Sequence, residues 1–466
     1  MTNNQSHPTT RREFLKNTAQ FAAVSALASV TLPQVHAAEG VGATQIALIG
    51  CGGRGTGAAF NALSTKQIPL KLVAMADVFQ NRLDDSYGVL KGNGAVNAGV
   101  DVPPERRFIG FDAYQKAMDC LKAGDIVILT TPLAFRWVHF GYAIQKGLHV
   151  FMEKPLTADG PTSKRMLKLG ADASAKNLKV GVGLMSRHSR GMQELAKRIQ
   201  DGEIGDITLL RGYRMHGPGG SAYSTKWTGQ PSELLWQISR FHSFIWASGG
   251  CYNDFYIHHV DHCCWMKNAW PVKAQALGGR HYRLNPQGQM CVDQNFDVYS
   301  VEYTFADGGK FIMDGRCMDN CSVIYSSYAH GTKGSAIISS GGDCGLPSKL
   351  FKSQIQDGAN QTWESNVPGP EQDPYLNEWN DLIEAIRTDK PYNETERGVY
   401  ASAVSSLGRV AAHTGQEITL EQFLNSSREY APDVDKLTFD SPAPIVADAN
   451  GRYPIPEPGL KHDAEY

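Results

Sequence analysis

The sequence predicts an α/β protein in which a doubly wound parallel sheet is followed by an α+β region with a large, open, mostly antiparallel sheet. Between residues 45 and 201, strand-length apolar runs alternate with helical patterns, which is typical of βαβ units. Beyond Gly205 the strand-like runs are separated by Gly, Asp and Asn turns, including the hairpin signal at residues 306–309. The 466 residues exceed what one hydrophobic core usually supports, so two domains are expected.

A glycine-rich turn follows the first predicted strand, residues 45–49. The turn reads Gly50-Cys51-Gly52-Gly53-Arg54-Gly55 and has G-x-G-x-x-G spacing. In such a motif the first glycine permits a tight turn, the second lets a pyrophosphate approach the backbone, and the third lets helix and strand pack closely. The spacing predicts a Rossmann dinucleotide-binding domain in which Gly50, Gly52, Gly53, Arg54 and Gly55 contact the cofactor. A glycine-rich turn without a ligand is the alternative.

An acidic residue, Asp77, ends the second predicted strand, residues 70–76. It lies about 20 residues beyond the glycine motif, where a carboxylate accepts hydrogen bonds from the ribose hydroxyls of NAD. We therefore expect NAD. NADP stays an alternative, because Arg54 is expected near the ribose edge, where it could accommodate a 2′-phosphate.

Two further strands end in residues that we expect at the cofactor. The strand at 125–129 leads to Thr131 and Pro132, and the strand at 149–152 leads to Glu153-Lys154-Pro155. Ligands bind at the carboxyl ends of strands in such sheets. The sequence therefore predicts Thr131, Pro132, Glu153 and Lys154 as cofactor-binding residues. Predicted helices at 133–146, with Gly147 as its C-cap, 162–175 and 191–201 complete this part, with a strand at 179–183.

The remainder of the chain is divided by its change of pattern. We expect a Rossmann domain at 44–186, a substrate-binding domain at 187–428 and a Pro-rich extended tail at 429–466, lying on the protein or on a neighbouring subunit. The second domain has predicted strands at 207–215, 272–278, 296–305, 310–313 and 335–339, and predicted helices at 257–265, 375–387 and 395–413. The two last helices are spaced to return and pack on the first domain.

Composition excludes several classes of function. The chain is 42% apolar and 20% charged, with a formal net charge of −2 and no block of like charge, which argues against nucleic-acid binding. No segment of 18 uncharged apolar residues predicts a membrane span in the mature protein. The nine cysteines form no C-x-x-C pair, so most are interpreted as small buried hydrophobic residues and no metal is predicted.

The first 38 residues resemble a twin-arginine signal peptide. Thr10-Arg11-Arg12-Glu13-Phe14-Leu15-Lys16 precedes a mildly apolar stretch at 19–32, and small residues near Ala37 follow. An amphipathic N-terminal helix is the alternative. The resemblance implies recognition by the twin-arginine export machinery and a periplasmic or otherwise exported protein. It also implies that the protein folds before export, so the cofactor would have to be tightly bound.

Two segments carry the candidate catalytic groups. Lys154, held before a proline at a strand end, could donate a hydrogen bond to a substrate hydroxyl, although a Glu-Lys-Pro triplet is usually an exposed loop. Asp254, His258 and Asp261 are spaced i, i+4 and i+7 on one helix face. An imidazole beside carboxylates is suited to accepting a proton near neutral pH. Two alternatives stay open for this helix: Asp254 capping it with structural histidines, or a metal cluster of His258, His259, His262 and Asp261.

Together these motifs, from residue 45 to residue 413, resemble the Gfo/Idh/MocA oxidoreductases, which join a Rossmann domain to a predominantly antiparallel α/β domain. The resemblance rests on the glycine motif, Asp77, Glu153-Lys154-Pro155, the segment 183–187, and Asp254-x-x-x-His258-x-x-Asp261. It implies that Lys154 and His258 handle the proton beside the nicotinamide. It also implies that Asp254 binds a substrate hydroxyl and orients the histidine, and that the open sheet face forms a homo-oligomer.

The chain departs from the family pattern at three places. Tyr256 stands where many members have glycine, so its ring is expected to reshape the substrate pocket. Arg187, in an unusual Met-Ser-Arg run, is expected to bind substrate. The insertion 216–248 carries Trp236 among several aromatic, Arg and His residues. It is interpreted either as a carbohydrate platform or as a buried or intersubunit loop.

The resemblance implies an exported NAD(P)-dependent oxidoreductase. It would transfer hydride between the nicotinamide and a hydroxyl of a carbohydrate, namely a sugar, glycoside or polyol. One alternative is an NAD-dependent glycosidase that acts by transient oxidation and elimination. The other is a non-catalytic sugar-binding protein with structural NAD.

Overall fold

Two sheets organise the protein, and the predicted fold class is confirmed. The structure, a computed structural model, describes residues 43–281, 284, 285 and 287–466. The predicted signal peptide at 1–38 lies outside the described residues. Among the described residues, no helix combines the length and the apolar character that a membrane crossing requires.

The first sheet has six parallel strands in the order β3-β2-β1-β4-β5-β6. The strands are β1 (Thr44–Ile49), β2 (Leu70–Asp77), β3 (Arg107–Ile109), β4 (Ile126–Leu129), β5 (His149–Met152) and β6 (Val180–Val182). Chain order reverses between β1 and β4, and ligands bind outside the carboxyl ends of strands at such a switch point. The topology therefore brings the ends of β1, β2, β4 and β5 together at one edge.

Helices cover both faces of this sheet. They are α1 (Gly53–Ser64), α2 (Gln80–Gly92), α3 (Ala113–Met118), α4 (Arg136–Lys146) and α5 (Gly160–Ala175). The next helix, α6 (Arg190–Gln200), is predicted with this part of the chain, but its buried face packs in the core of the second sheet. Alternate residues of β4 point to opposite sides: Val127 packs with α3, α4 and α5, whereas Ile128 packs with α1 and α2. α4 ends at Gly147, whose φ of 72° is left-handed, as the C-cap signal predicts.

The second sheet has nine strands in the order β14-β13-β12-β11-β7-β10-β9-β8-β15. The strands are β7 (Ile207–His216), β8 (Lys273–Gly279), β9 (Val298–Thr304), β10 (Lys310–Cys317), β11 (Ile324–Gly331), β12 (Ser335–Ser339), β13 (Lys349–Phe351), β14 (Gln361–Glu364) and β15 (Ile418–Thr419). Every neighbouring pair is antiparallel except β7 and β10, which are parallel.

Five strands escape prediction from the sequence. β3, β13, β14 and β15 have only two to four residues each, too few for a pattern to register. β11 is eight residues long but reads Ile-Tyr-Ser-Ser-Tyr-Ala-His-Gly, and its buried positions include Ser327 and Ala329 rather than large apolar residues. Pairing with both neighbours, not side-chain hydrophobicity, makes β11 a strand.

Six helices accompany the second sheet. They are α7 (Glu233–Ser239), α8 (Ile245–Ser248), α9 (Gly250–Lys267), α10 (Pro374–Arg387), α11 (Thr395–Thr414) and α12 (Leu420–Asn425). α9 begins seven residues before the predicted start at 257. Because α9 is buried on nearly all sides, its sequence lacks the apolar stripe that marks a helix boundary.

α10 and α11 pack on the first domain, as their spacing predicts. Trp379 of α10 stacks on Phe151 of β5 with ring centroids 4.6 Å apart. α11 packs against α5 and β6 and also against β8 and β9 of the second sheet. These helices therefore tie the two sheets into one body.

The segment 429–466 lies on the protein's own surface. Tyr453 stacks on Trp236 with ring centroids 6.1 Å apart, and its hydroxyl donates to Glu233 at 2.6 Å. The amide of Gln237 donates to the carbonyl oxygen of Ile445 at 2.7 Å. The segment thereby supports α7, one of the two α-helices in the 216–248 insertion.

Candidate functional site

A cleft with a volume of about 490 Å³ opens at the carboxyl edge of the parallel sheet. Its walls come from the glycine turn, the ends of β2, β4 and β5, the first turns of α9, and residues of the second sheet. Sites for small molecules and cofactors commonly enclose roughly 300–1,000 Å³. The predicted cofactor residues Gly50, Gly52, Gly53, Arg54, Gly55, Asp77, Thr131, Pro132, Glu153 and Lys154 all line it.

Each glycine of the motif has a separate steric role. Gly50 has φ of +96°, and a Cβ there would lie 2.8 Å from the backbone of Thr130. A Cβ on Gly55 would lie 2.0 Å from the carbonyl oxygen of Gly50, so only glycine lets α1 pack on this turn. A Cβ on Gly52 would meet no atom within 4 Å and would project into open space. Gly52 thus leaves room for a group against the backbone.

The start of α1 suits an anion. The helix begins at Gly53, no side chain caps it, and its first turn has no acidic residue. The free N–H groups and the helix dipole favour a phosphate at this end. The turn therefore fits the pyrophosphate of a dinucleotide, on the basis of its open glycines and uncapped amides.

Asp77 borders the cleft beside this turn. Its carboxylate accepts hydrogen bonds from the backbone N–H groups of Cys51 at 2.6 Å and Phe79 at 2.9 Å. Burial raises the pKa of this carboxyl, while the two N–H donors and Arg82 oppose the rise. The hydrogen bonds hold the carboxylate in one orientation at the end of β2, where a ribose would lie.

Arg54 is held by residues far from Asp77, which corrects the expectation that it could accommodate a 2′-phosphate at the ribose edge. Its Nε lies 2.5 Å from Glu153, its Nη2 lies 3.5 Å from Glu378 of α10, and its guanidinium stacks 4.6 Å above Tyr375. Glu153 follows β5, and two strands, β1 and β4, separate β5 from β2 and Asp77. A guanidinium drawn to β5 and α10 does not reach a 2′-phosphate beside Asp77.

Lys154, Asp254 and His258 meet at the other end of the cleft. Lys154 Nζ donates to the backbone carbonyl of Asp254 at 2.9 Å and lies 3.7 Å from its carboxylate. The other carboxylate oxygen of Asp254 lies 3.3 Å from Nε2 of His242. The helix α9 does not use Asp254 as a cap, because α9 already begins at Gly250.

The electrostatics of this end keep His258 in its neutral form, the form that can accept a proton. Burial lowers the pKa of His258 to about 4, with Lys154 and Arg214 contributing in the same direction and Asp343 opposing them. The imidazole is therefore neutral at pH 7. Although burial acts to raise it, the pKa of Asp254 lies well below its usual range because of Lys154 and His242, so this group is a carboxylate.

Asp261 does not join this end of the cleft, although it shares a helix face with His258. Its carboxylate binds Arg187 through two hydrogen bonds of 2.7 and 2.9 Å. The guanidinium of Arg187 also stacks 5.1 Å from the ring centroid of Trp265. Because Asp261 holds it there, Arg187 does not line the cleft, and its expected contact with substrate does not fit this geometry.

Tyr256 likewise points away from the cleft. It lies two residues from both Asp254 and His258, which places its side chain on the opposite side of α9. The ring is fully buried and packs on β10, where a Cβ on Gly315 would lie 2.1 Å from it. The expected effect of Tyr256 on the substrate pocket is therefore corrected to a packing role in the second domain.

The 216–248 insertion meets the cleft through residues other than Trp236. Trp236 packs between Phe244 and Tyr453, outside the cleft lining, so its expected substrate contact does not fit. Phe241 and His242 of the same insertion do line the cleft. The insertion is thus mainly a packed loop, with only its end at the site.

Several cleft residues escape prediction from the sequence. Arg214 comes from β7, Asp343 from the segment between β12 and β13, and Tyr375 from α10. Asp343 stands in Gly341-Gly342-Asp343-Cys344-Gly345, which reads as an ordinary turn. No pattern in a single sequence marks these residues, because only pairing of distant strands brings them to the cleft.

One alternative for α9 is a metal cluster formed by His258, His259, His262 and Asp261. Within residues 43–281, 284, 285 and 287–466, no group of three or more His, Cys, Asp and Glu side chains is arranged to hold a metal ion. The rings of His259 and His262 lie 5.0 Å apart, both fully buried.

Comparison with known proteins supports the fold. No family model matches the chain. It is 29% identical over 132 residues to the inositol 2-dehydrogenase of Corynebacterium glutamicum, a match covering 28% of this chain and 37% of that protein. It is 27% identical over 214 residues to the levoglucosan dehydrogenase of Pseudarthrobacter phenanthrenivorans, covering 42% of this chain and 50% of that protein. The chain thus spans between about a third and a half of the length of these curated relatives.

Structural similarity extends further along the chain. The solved structure of scyllo-inositol dehydrogenase from Lactobacillus casei, with bound NAD(H) and scyllo-inositol, superposes with a TM-score of 0.56 at 20% identity. The match covers 82% of this chain and 100% of that one. The chain therefore has the two-sheet fold of this dehydrogenase, and its curated relatives include inositol and levoglucosan dehydrogenases.

Proposed function

We propose that this protein is a nicotinamide-dependent oxidoreductase that oxidises a hydroxyl group of a sugar, glycoside or polyol. One observation carries the proposal: Lys154, Asp254 and His258 converge at one end of a cleft whose other end is an open glycine turn at a helix N-terminus. The similarity to inositol and levoglucosan dehydrogenases supports the same class of substrate.

The residues divide the reaction between them. A bound nicotinamide supplies a hydride acceptor. The Lys154 ammonium is placed to donate a hydrogen bond to the substrate hydroxyl oxygen, which stabilises negative charge as the proton leaves. The neutral imidazole of His258 receives that proton. Asp254 holds Lys154 in position and keeps its charge balanced.

We propose NAD as the cofactor, with Gly50, Gly52, Gly53 and Gly55 at the pyrophosphate and Asp77 at the ribose. A fixed carboxylate at the end of β2 accepts hydrogen bonds from two ribose hydroxyls and repels a 2′-phosphate. Arg54, held by Glu153 and Glu378, does not offset that repulsion. The NAD(H) named in the L. casei structure supports this choice.

The nucleotide released on denaturing the purified protein tests the cofactor assignment. We expect the mass of NAD from the wild-type protein. The Gly52→Val variant should release little nucleotide, because its side chain would occupy the space beside the turn. The matched control is Gly88→Val, which faces open space on the exposed surface of α2. Equal nucleotide content in both variants, or the mass of NADP, would contradict the assignment.

The glycosidase alternative is separated by its product. A sugar or polyol that reduces the bound nicotinamide, with no nitrophenol released from nitrophenyl glycosides, supports a dehydrogenase. Release of nitrophenol without net reduction of the nicotinamide supports oxidation followed by elimination. Binding of sugar with neither signal supports a non-catalytic protein.

We further propose that residues 1–38 direct export through the twin-arginine machinery with the cofactor already bound. The support is the Arg11-Arg12 pair and the apolar stretch behind it. In cells expressing the full chain, the wild-type protein should be found in the exported fraction. The double variant Arg11→Lys, Arg12→Lys should stay in the cytoplasm, and Lys16→Arg serves as the control. Equal export of the double variant would refute this proposal.

A further inference from the structure

We propose that Arg214 and Asp343 form a second hydroxyl-binding wall of the cleft, which selects a neutral polyhydroxy substrate over an anionic one. This inference rests on the proposed function and identifies the side of the site that reads the substrate. The two residues line the same cleft as Lys154, but they come from the second domain: Arg214 from β7 and Asp343 from the segment between β12 and β13.

The backbone that carries Asp343 is held from both domains. Its segment, residues 340–348, is anchored to the second sheet by a hydrogen bond from the N–H of Gly342 to the carbonyl oxygen of Tyr325 at 2.8 Å. The hydroxyl of Ser186, in the first domain, donates to the backbone carbonyl of Asp343 at 2.9 Å. The segment therefore carries a charged side chain to the cleft in a defined position.

Arg214 is held just as firmly. Its Nη1 donates to Asp343 Oδ1 at 3.0 Å and also to the carbonyl oxygen of Phe255, and its Nε donates to Nε2 of His216 at 3.1 Å. The guanidinium lies 4.7 Å above the ring centroid of Tyr325. Side-chain exposures of 13% for Arg214 and 17% for Asp343 show that the pair is partly buried yet reachable from the cleft.

A carboxylate paired with a guanidinium suits a hydroxyl group. The hydroxyl donates to the carboxylate and accepts from the guanidinium, so two neighbouring hydroxyls are recognised by such a pair. Although burial acts to raise it, the pKa of Asp343 lies well below its usual range because of His258 and Arg214, so it is an acceptor at neutral pH. Phe255, which is partly buried and lines the cleft, adds an apolar surface for carbon-bound hydrogens.

Two of the cations at this end of the cleft, Lys154 and Arg214, are each balanced by a carboxylate. Lys154 pairs with Asp254 at 3.7 Å, and Arg214 pairs with Asp343 at 3.0 Å. His258, with a pKa of about 4, adds no charge at pH 7. An anionic substrate would find Lys154 and Arg214 already paired, and the carboxylates of Asp254 and Asp343 would repel it. A neutral polyhydroxy compound would meet alternating donors and acceptors.

Four probes test the inference: myo-inositol and glucose as neutral compounds, glucuronate and glucose 6-phosphate as anionic ones. Binding is measured by calorimetry and turnover by reduction of the bound nicotinamide. We expect glucose or myo-inositol to bind the wild-type protein at least about 10-fold more tightly than either anionic probe. Asp343→Asn and Arg214→Met should each weaken binding of the neutral probe by about 10- to 100-fold, because a hydrogen bond to a charged group is lost. KM should change more than kcat.

The matched control is Asp314→Asn on β10, where Asp314 binds Ser300 outside the cleft. It should bind the neutral probe as the wild type does. Unchanged binding of the neutral probe in both Asp343→Asn and Arg214→Met overturns the inference. A wild-type protein that binds an anionic probe more tightly than a neutral one, or that binds none of the four probes, also overturns it. If a neutral probe binds through Asp343 and is never oxidised, the proposed function fails while the inference stands. If a neutral probe is oxidised equally well by the Asp343 and Arg214 variants, only the inference fails.

Discussion

Replacing His258 with glutamine is expected to lower kcat by about 10²- to 10⁴-fold, the range of a general base in the transition state. Glutamine keeps the size and polarity of the side chain but cannot take up a proton. Lys154→Met should show a loss of similar order, because the hydrogen bond to the substrate oxygen disappears. Turnover is measured by reduction of the bound nicotinamide, and nucleotide content by mass spectrometry confirms that each variant is loaded.

His262→Gln is the matched control for the histidine. His262 lies one turn further along the same helix, is fully buried, and does not line the cleft. Its substitution should leave kcat within a few-fold of the wild type. If His258→Gln and His262→Gln reduce kcat equally, the loss reflects packing of α9, and the assignment of His258 as the base is wrong.

The pH profile adds a second measurement of the same group. His258 must be neutral to accept a proton, and its pKa is lowered to about 4 by burial and by nearby cations. As pH falls through about 4, protonation of the imidazole removes the base, so kcat/KM, which reports groups of the substrate-free enzyme, should fall in the wild type. This acid limb should be absent from the residual activity of His258→Gln.

Glu465→Gln is expected to destabilise the fold by about 3–5 kcal/mol at pH 7, the cost of breaking a buried ion pair. Glu465 and Arg409 are 1% and 0% exposed, and their charged groups meet at 2.8 Å. His413 Nδ1 lies 2.7 Å from the same carboxylate, and the hydroxyl of Tyr430 donates to it. Without the carboxylate, the Arg409 guanidinium is buried with no counter-charge. Denaturant unfolding measures the change.

The dependence on pH follows from the direction of the pKa. Although burial acts to raise it, the pKa of Glu465 is held well below its usual range by Arg409 and His413. A carboxyl with a depressed folded-state pKa stabilises the protein above the unfolded value of about 4.3 and loses that contribution as pH falls. The difference between the wild type and Glu465→Gln should therefore shrink below about pH 4.

The control for this prediction lies in the same segment. Glu457 is 43% exposed and pairs with Lys461 at 2.9 Å. Glu457→Gln should change the free energy of unfolding by no more than about 0.5 kcal/mol. Adding Arg409→Met to Glu465→Gln should recover part of the loss, because no unpaired charge remains. Equal stability of Glu465→Gln and the wild type would show that the segment 429–466 is not anchored by this pair.

The position of Arg54 in the motif was predictable from the sequence, but its ion-pair partners were not. Its place in the glycine motif was enough to predict a residue at the cofactor cleft, which it lines. Its partners, Glu153 and Glu378, lie 99 and 324 residues further along the chain. A side chain this long turns toward whichever carboxylates the fold brings near, and no local pattern records them.

In α9, likewise, the sequence predicted which side chains share a helix face but not which neighbours they contact. The spacing of Asp254, His258 and Asp261 predicted a shared helix face. The structure sends the first two to the cleft and the third to Arg187. Helix periodicity sets which side chains point the same way, but seven residues span two turns, about 10 Å along the axis. Residues at the two ends of that span meet different neighbours.

The parallel sheet, the glycine turn, Asp77 and the Glu-Lys-Pro strand end could all be predicted from the sequence. Each depends on local periodicity or on backbone geometry that only glycine or proline allows. The tertiary structure alone decided that Arg214 and Asp343 face the cleft, that Tyr256 and Trp236 do not, and that Glu465 is buried against Arg409. Those outcomes depend on strand pairing and on the path of the 429–466 segment, which join residues hundreds of positions apart. Contacts of that kind are set by packing and charge in three dimensions, and leave no periodic signal in one chain.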